Sequence, residues 1–444
     1  MKKAHKYLIG IILLLIIGAL GVFVYNNYNM IAKNAAIQGS VEAFAEASAS
    51  PSPTVATATP PSYVDISLAF CGDIVCHTGL NDEAKKSDGT YDFAPIFSGA
   101  ENDIKKADYA VCTMETTFPK TTAYTGYPQF KSPPALAAGL KNIGIDLVNT
   151  ASNHCMDSYK DGLISTLDVL DQNGLDHVGT YRTQEEHDKN NGILVKNING
   201  VSVAFLSFTY GTNGLPVTGF EYVSNIFFND YLTTLKDINY DLLKKDMSAA
   251  RALNTDMIVV VMHWGNEYYT KPVTYQNELA DFLFKEGANI VIGGHCHVPE
   301  PIELRHVVDN EGNEKTGLIA YCLGNFVSCQ NDRYTNLTAI LNVDIRKDLK
   351  TGKAILENVS YEPMFMMDLS DYGLTGNWRY RLLNLQETLN EYKNGKNPDF
   401  ISEKMYSSMI TGLDDIHSIM NADFDYNNNG GVNVTKWAQE NSGK

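Results

Sequence analysis

Six times along this 444-residue chain, a short apolar run rich in β-branched residues stops at a glycine or at a side chain able to bind metal or carry a proton. Apolar runs of this length without alternation are typical of strands buried on both faces. The repeated stop therefore sets a row of polar groups where strands leave a sheet, the edge at which open α/β folds gather ligands. The fullest case is Asn289-Ile290-Val291-Ile292-Gly293-Gly294-His295-Cys296-His297-Val298, which ends in two imidazoles one residue apart. Residues 66–71 run into Gly72-Asp73, with His77 shortly after, and residues 109–114 end at Glu115. Residues 146–151 deliver Ser152-Asn153-His154, with Asp157 three positions on. Residues 257–262 end at His263-Trp264-Gly265-Asn266-Glu267-Tyr268, and a strand over 318–326 carries Gly324-Asn325.

Between these runs the spacing of apolar residues predicts helices over 135–143, 162–170, 246–253 and 275–286. Asn199-Gly200, between residues 193–195 and 201–208, marks a hairpin. The alternation of strand and helix gives an α/β fold. Prolines at 119, 128, 133 and 134 make residues 119–134 a long loop. Residues 209–240, rich in Gly, Asn, Thr and aromatics, suit a substrate-facing loop or a surface excursion with its own small core. Further on, strands are expected at 337–345 and 354–361 and helices at 378–392 and 402–419. Asp425-Tyr426-Asn427-Asn428-Asn429-Gly430 has the oxygen ligands and sixth-position glycine of a calcium loop, but Lys436 stands where a bidentate Glu is needed. An Asn-rich turn is the competing reading.

The amino-terminal end is of another kind. Lys2, Lys3 and Lys6 precede an uncharged apolar run over 8–24, near the lower limit for a membrane span. The basic flank places residues 1–7 in the cytoplasm and all that follows outside. Small residues around Ala43, Ala45 and Ala47 offer cleavage points for a signal peptide, yet they lie far beyond the apolar run, so an uncleaved single-pass anchor is the expectation. Residues 25–62 form a stalk, ending in Ala, Ser, Thr and Pro that cannot build a core. A main domain over 63–345 and carboxy-terminal strands and helices over 346–444, packed on or appended to it, complete the expected division.

The whole chain carries a formal charge of −17, and from residue 63 on it holds 31 basic against 50 acidic side chains. That balance repels nucleic acid, so none is expected as a partner. The seven cysteines are odd in number and irregularly spaced, which points to small buried side chains. A thiolate ligand or a bridge among Cys76, Cys155 and Cys296 is the lesser alternative.

Asp73, His77, Glu115, Asn153, His154, His263, His295 and His297 all fall just past predicted strands. Carboxylate, amide and imidazole together suit one or two divalent ions such as Mn²⁺, Zn²⁺ or Fe²⁺. Two ions sharing a carboxylate can activate water, and a histidine free of metal can protonate a leaving group. No serine-nucleophile motif and no phosphate-cradling glycine loop competes with this reading.

Gly72-Asp73, Thr113-Met114-Glu115, Ser152-Asn153-His154 with Asp157, residues 263–268, Gly294-His295-Cys296-His297-Val298 and Tyr321-Cys322-Leu323-Gly324-Asn325-Phe326 resemble, in order, the motifs of the poly-γ-glutamate capsule synthesis proteins, the CapA family. The resemblance spans roughly residues 64–330. That family is related to calcineurin-like metallophosphoesterases, so the resemblance implies a four-layer α/β/β/α sandwich with a dinuclear site between its sheets. It implies Asp73 and His297 on one metal, Glu115 as the bridging carboxylate, and Asn153, His263 and His295 on the second. His77 is a further ligand candidate at a longer spacing than the metallophosphoesterase Asp-x-His, and His154 with Asp157 makes the candidate catalytic pair. Thr113, Tyr159 and Cys296 depart from the family's usual Asn, Gly and Pro. The implied protein is a membrane-anchored, extracytoplasmic metal-dependent hydrolase of capsule production or export. It would act on an anionic polymer or a phosphoester beside other capsule-synthesis membrane proteins. A surface phosphoesterase unrelated to capsule and a non-catalytic assembly subunit are the alternatives.

Overall fold

The structure is a computed structural model and describes residues 62–397 and 401–441. The expected anchor over 8–24 and nearly all of the stalk lie outside the described residues. Among the described residues no helix is long and apolar enough to cross a membrane. The described residues form one compact unit of mixed α/β structure with two sheets.

β1 (Tyr63–Ile74), β2 (Tyr109–Met114), β3 (Leu147–Asn149) and β4 (Asp176–Val178) lie side by side and parallel, as the alternation with helices predicts. β5 (Leu194–Ile198) and β6 (Val201–Thr209) form the expected hairpin, with Asn199 and Gly200 both at positive φ, 48° and 98°. Such a two-residue turn needs that conformation, and Asn-Gly adopts it at little cost. β6 opens the second sheet and pairs in parallel with β7 (Met257–His263), then β8 (Ile290–Gly294). β9 (Ile302–Val308) reaches that sheet through β10 (Glu314–Ala320), which lies parallel to β8.

The strand expected over 318–326 is in fact two. β10 ends at Ala320 in the second sheet, and β11 (Asn325–Val327) pairs with β1 in the first. A continuous apolar run hides this switch, because both halves are buried and only their hydrogen-bond partners differ. Gly72 makes the crossing possible: a Cβ there would stand 2.0 Å from Gly324 O. β12 (Leu337–Asp348), β13 (Ala354–Asp368) and β14 (Tyr380–Asn384) then extend the first sheet antiparallel beyond β1, and the short β15 (Val432–Asn433) pairs with β13. The helix expected over 378–392 begins only at Leu385, where Asn384 caps it by accepting Glu387 N–H. Residues 380–384 are strand because they pair with the rim of β13.

Three apolar clusters set the layers. Ile66, Leu68, Phe70 and Val111 of the first sheet meet Phe205, Val259, Ile290 and Leu318 of the second. On its other face the first sheet packs Cys71, Cys112 and Met114 with Leu140 of helix Ala135–Asn142 and Leu163 and Leu167 of helix Tyr159–Gln172. The second sheet packs Leu206, Val260 and Val291 with Leu243 of helix Tyr240–Ala252 and Leu279 and Leu283 of helix Thr274–Lys285. Burial of each such side chain is worth roughly 1.5–3 kcal/mol, so the carboxyl ends of β1, β2, β7 and β8 are held against one another by cores on every side.

All seven thiols are free, and all but Cys329 are buried. In the loop over 209–240, Phe227 and Phe228 join the core, and the ring of Tyr210 lies 4.6 Å from that of His295. At the calcium-like loop, Asp425 Oδ1 accepts Asn427 N–H and its Oδ2 is 2.6 Å from His417 Nε2. That carboxylate works as a turn clamp, in keeping with the Asn-rich turn.

Candidate metal centre

Where β1 and β2 end, Asp73 and Glu115 face each other, 1% and 0% exposed. Both are acceptors, and among the described residues Asp73 Oδ1 and both Glu115 oxygens have no hydrogen-bond partner. Burial pushes the Asp73 carboxyl up to about 7, opposed by the hydrogen bond from His295 N–H. Burial, and then Asp73, push Glu115 well above the usual range. Without a cation this pair is costly, since two adjacent buried carboxylates cannot both ionise.

Imidazoles come in from the second sheet. His263, the last residue of β7, is fully buried, with Nε2 2.8 Å from Asn153 Oδ1 and 3.7 Å from Glu115 Oε2. His295 and His297 follow β8 in left-handed conformations, φ 92° and 61°, with their ring centroids 6.0 Å apart. His297 Nδ1 lies 2.9 Å from Asn325 Oδ1; because that oxygen is an acceptor, the ring's proton sits on Nδ1 and Nε2 is left as a ligand atom. Burial holds His263 and His295 well below the ordinary imidazole range and takes His297 to about 4. All three are neutral lone-pair donors at pH 7.

Three overlapping groups keep potential ligand atoms within 4.8 Å of one another: Asp73, Glu115 and His297; Glu115, His263 and His295; and Glu267, His295 and His297. Asn153 adds its amide oxygen to the second through His263. The chemistry fits divalent metal on the structure's own terms. Asp73 Oδ1, both Glu115 oxygens and the Nδ1 atoms of His263 and His295 are buried without hydrogen-bond partners among the described residues, and a cation is what would satisfy such carboxylate oxygens. The expected ligands Asp73, Glu115, Asn153, His263, His295 and His297 are thus brought together.

His77 is not among these groups. Its Nδ1 is 3.0 Å from Val75 O and 3.3 Å from Cys329 N, and its ring meets the edge of Phe130. His154 and Asp157 are paired, Nδ1 to Oδ2 at 2.7 Å, and Asp157 also accepts Phe130 N–H. That acceptor places the proton on Nδ1 and leaves Nε2 for proton transfer, with Asn213 Nδ2 3.3 Å away.

Sequence reasoning passed over Glu267, Tyr210, Asn213 and Asn325. Glu267 and Asn325 lie inside motifs that were legible; Glu267 stands just beyond the left-handed Gly265, φ 90°. Asn213 accepts from Asn153 and Tyr210 within the aperiodic loop, where no sequence signal exists. Cys296 also finds its place: its thiol points inward to Glu300 Oε2 at 3.3 Å, and that oxygen accepts Gln276 as well.

Residues 67–330 match the family described as bacterial capsule synthesis protein PGA_cap. The chain is 31% identical over 223 residues to a capsule biosynthesis protein CapA of Bacillus anthracis, covering 50% of this chain and 48% of that one. It is 28% identical over 292 residues to a PGA biosynthesis protein CapA of Bacillus subtilis (strain 168), covering 64% and 68%. The match thus spans about half the length of the first of these relatives. A crystal structure described as a novel phosphatase from Mycoplasma pneumoniae superposes with a TM-score of 0.37 at 15% identity, over 68% of this chain and 93% of that one. A hypothetical protein from Thermus thermophilus gives 0.36 at 14%, over 67% and 98%.

Proposed function

Because this chain belongs to the PGA_cap family of bacterial capsule synthesis proteins, we propose that it is a metal-dependent hydrolase of the metallophosphoesterase type serving capsule or poly-γ-glutamate production or export. In this reading the layered sheets are a metallophosphoesterase-like sandwich. Residues 8–24 anchor the chain, and the folded part faces outward, beside other capsule-synthesis membrane proteins.

The observation that carries the reading is that Glu115 belongs to two ligand groups at once. A carboxylate with both oxygens unpartnered and a different set of donors on each side is the arrangement a pair of ions needs. Asp73, Glu115 and His297 would hold one divalent ion, and Glu115, Asn153, His263 and His295 the other; Mn, Zn and Fe all suit these donors. When bound, such ions supply an activated water and stabilise charge on the oxygens of the group being transferred. As an imidazolium, with its Nδ1–H held by Asp157, His154 would give its Nε2 proton to the leaving oxygen. Asn213 holds the Asn153 amide so that its oxygen faces the ligand side.

The test is metal analysis of the full chain in detergent after reconstitution, with turnover of bis(p-nitrophenyl) phosphate. Two ions per chain and turnover are expected. Fewer than one tightly held ion sinks the dinuclear centre, and bound metal without turnover of any ester favours an assembly role.

A further inference from the structure

Glu267 is exposed at the mouth of the centre, with a carboxylate oxygen within 4.8 Å of ligand nitrogens of both His295 and His297. Among the described residues, no lysine or arginine forms an ion pair with Asp73 or Glu267. Sites built for phosphate dianions surround them with guanidinium groups, lysines or helix amino-termini. This one opposes them with a carboxylate.

The walls are aromatic. The ring of Tyr210 lies 4.6 Å from that of His295, Phe130 4.6 Å from His154, and Tyr268 5.9 Å from His297. Tyr268 is 45% and its neighbour Tyr269 59% exposed. Such rings offer apolar faces and hydroxyls to an uncharged, hydroxyl-bearing chain, and they bring no positive charge to a run of carboxylates.

Resting on the metallohydrolase reading above, we propose that Glu267 is a charge gate that makes the site select phosphodiesters with neutral, hydroxylated flanks and reject phosphomonoester dianions and polyglutamate. A carboxylate set within 4.8 Å of the ligand atoms of His295 and His297 repels a ligand more strongly with each negative charge that ligand carries, so it weighs more against a monoester dianion than against a diester monoanion. In the reaction, water oxygen adds to phosphorus, one P–O ester bond breaks, and the departing alkoxide takes a proton. The products are an alcohol and a phosphomonoester. The latter gains the second charge that Glu267 repels, so hydrolysis stops after one step and the product leaves.

The test compares the Mn²⁺-loaded full chain with Glu267→Gln and Glu267→Asp at pH 8. Calorimetry reads binding of methyl phosphate, dimethyl phosphate and a short poly-γ-glutamate, and kinetics reads p-nitrophenyl phosphate against bis(p-nitrophenyl) phosphate. One added charge at this range is worth about tenfold. Glu267→Gln is therefore expected to raise the monoester-to-diester ratio about tenfold, in affinity and in kcat/KM, while Glu267→Asp keeps the native preference. An unchanged ratio with metal retained overturns the gate, as does loss of metal in Glu267→Gln, which would make Glu267 a ligand. Tight binding of poly-γ-glutamate by the native chain overturns it too. If the native chain holds metal but hydrolyses neither ester, the hydrolase reading fails, and the binding ratios still decide the gate.

Discussion

The backbone N–H of His295 donates to Asp73 Oδ2 at 2.7 Å, joining residues 222 positions apart. This bond closes the seam between the two sheets, because Asp73 lies near the end of β1 and His295 directly follows β8. The approach is as close as glycine allows: a Cβ on Gly294 would lie 2.4 Å from Asp73 Oδ1. The obstructing atom is the far end of a side chain, so it can turn away without moving backbone.

Gly294→Ala should therefore keep the fold and displace the Asp73 carboxylate. Elemental analysis is expected to show about one ion fewer per chain, with a circular dichroism spectrum like the native one. Two ions retained would mean that Asp73 is not needed as a ligand.

Glu115 and His154 should separate binding from chemistry. Glu115→Gln weakens both ligand groups, so both ions should be lost together. His154→Ala touches neither group and should keep its metal while kcat falls roughly 10²–10⁴-fold, the usual range for removing a general acid. A His154→Ala enzyme that turns over at the native rate would remove that role.

Why some of this was legible in the sequence and some was not has a physical reason. Strands buried on both faces read as unbroken apolar runs, and their ends are marked by the first polar residue; this located Asp73, Glu115, His263 and His295. What a run cannot encode is its partner strand, so residues 318–326 looked like one strand when β10 and β11 serve different sheets. Nor does spacing say where a turn points. His77 lies just past the end of β1 yet joins none of the ligand groups, whereas Glu267, four residues past His263 and just beyond the left-handed Gly265, joins one. Asn213 depends wholly on tertiary folding of an aperiodic loop.

Asp246, in helix Tyr240–Ala252, is 1% exposed with neither oxygen hydrogen-bonded, and burial pushes its carboxyl up to about 6. The folded state holds this proton more tightly than the unfolded chain does, so stability falls as pH rises from about 4 to about 6 and stays lower above. Asp246→Asn removes a penalty on the order of 2 kcal/mol. The variant should melt several degrees higher than the native chain at pH 7.5, with the gain vanishing at pH 4. Equal melting temperatures at pH 7.5 would show that the carboxylate is solvated or paired.

Metal uptake should carry the signature of the carboxyl pair rather than of the histidines. His297 is lowered to about 4, and His263 and His295 are also held low by burial, so near pH 6.5 the imidazoles have no proton to give up. Asp73, raised to about 7, and Glu115, pushed well above the usual carboxylate range, are the groups that still hold protons. Because their folded-state values lie above the unfolded ones, these acids lower the stability of the metal-free protein as pH climbs from about 4 through 7, and a divalent ion reverses the effect. Affinity for Mn²⁺ should therefore increase from pH 6 to pH 8. Calorimetry in buffers of different ionisation enthalpy should find about one proton or more released per chain at pH 6.5. Asp73→Asn should release fewer. Uptake with no proton release at pH 6.5 would mean that the two carboxylates are already ionised in the metal-free protein, and the account of the centre as a charge-starved pair would fail.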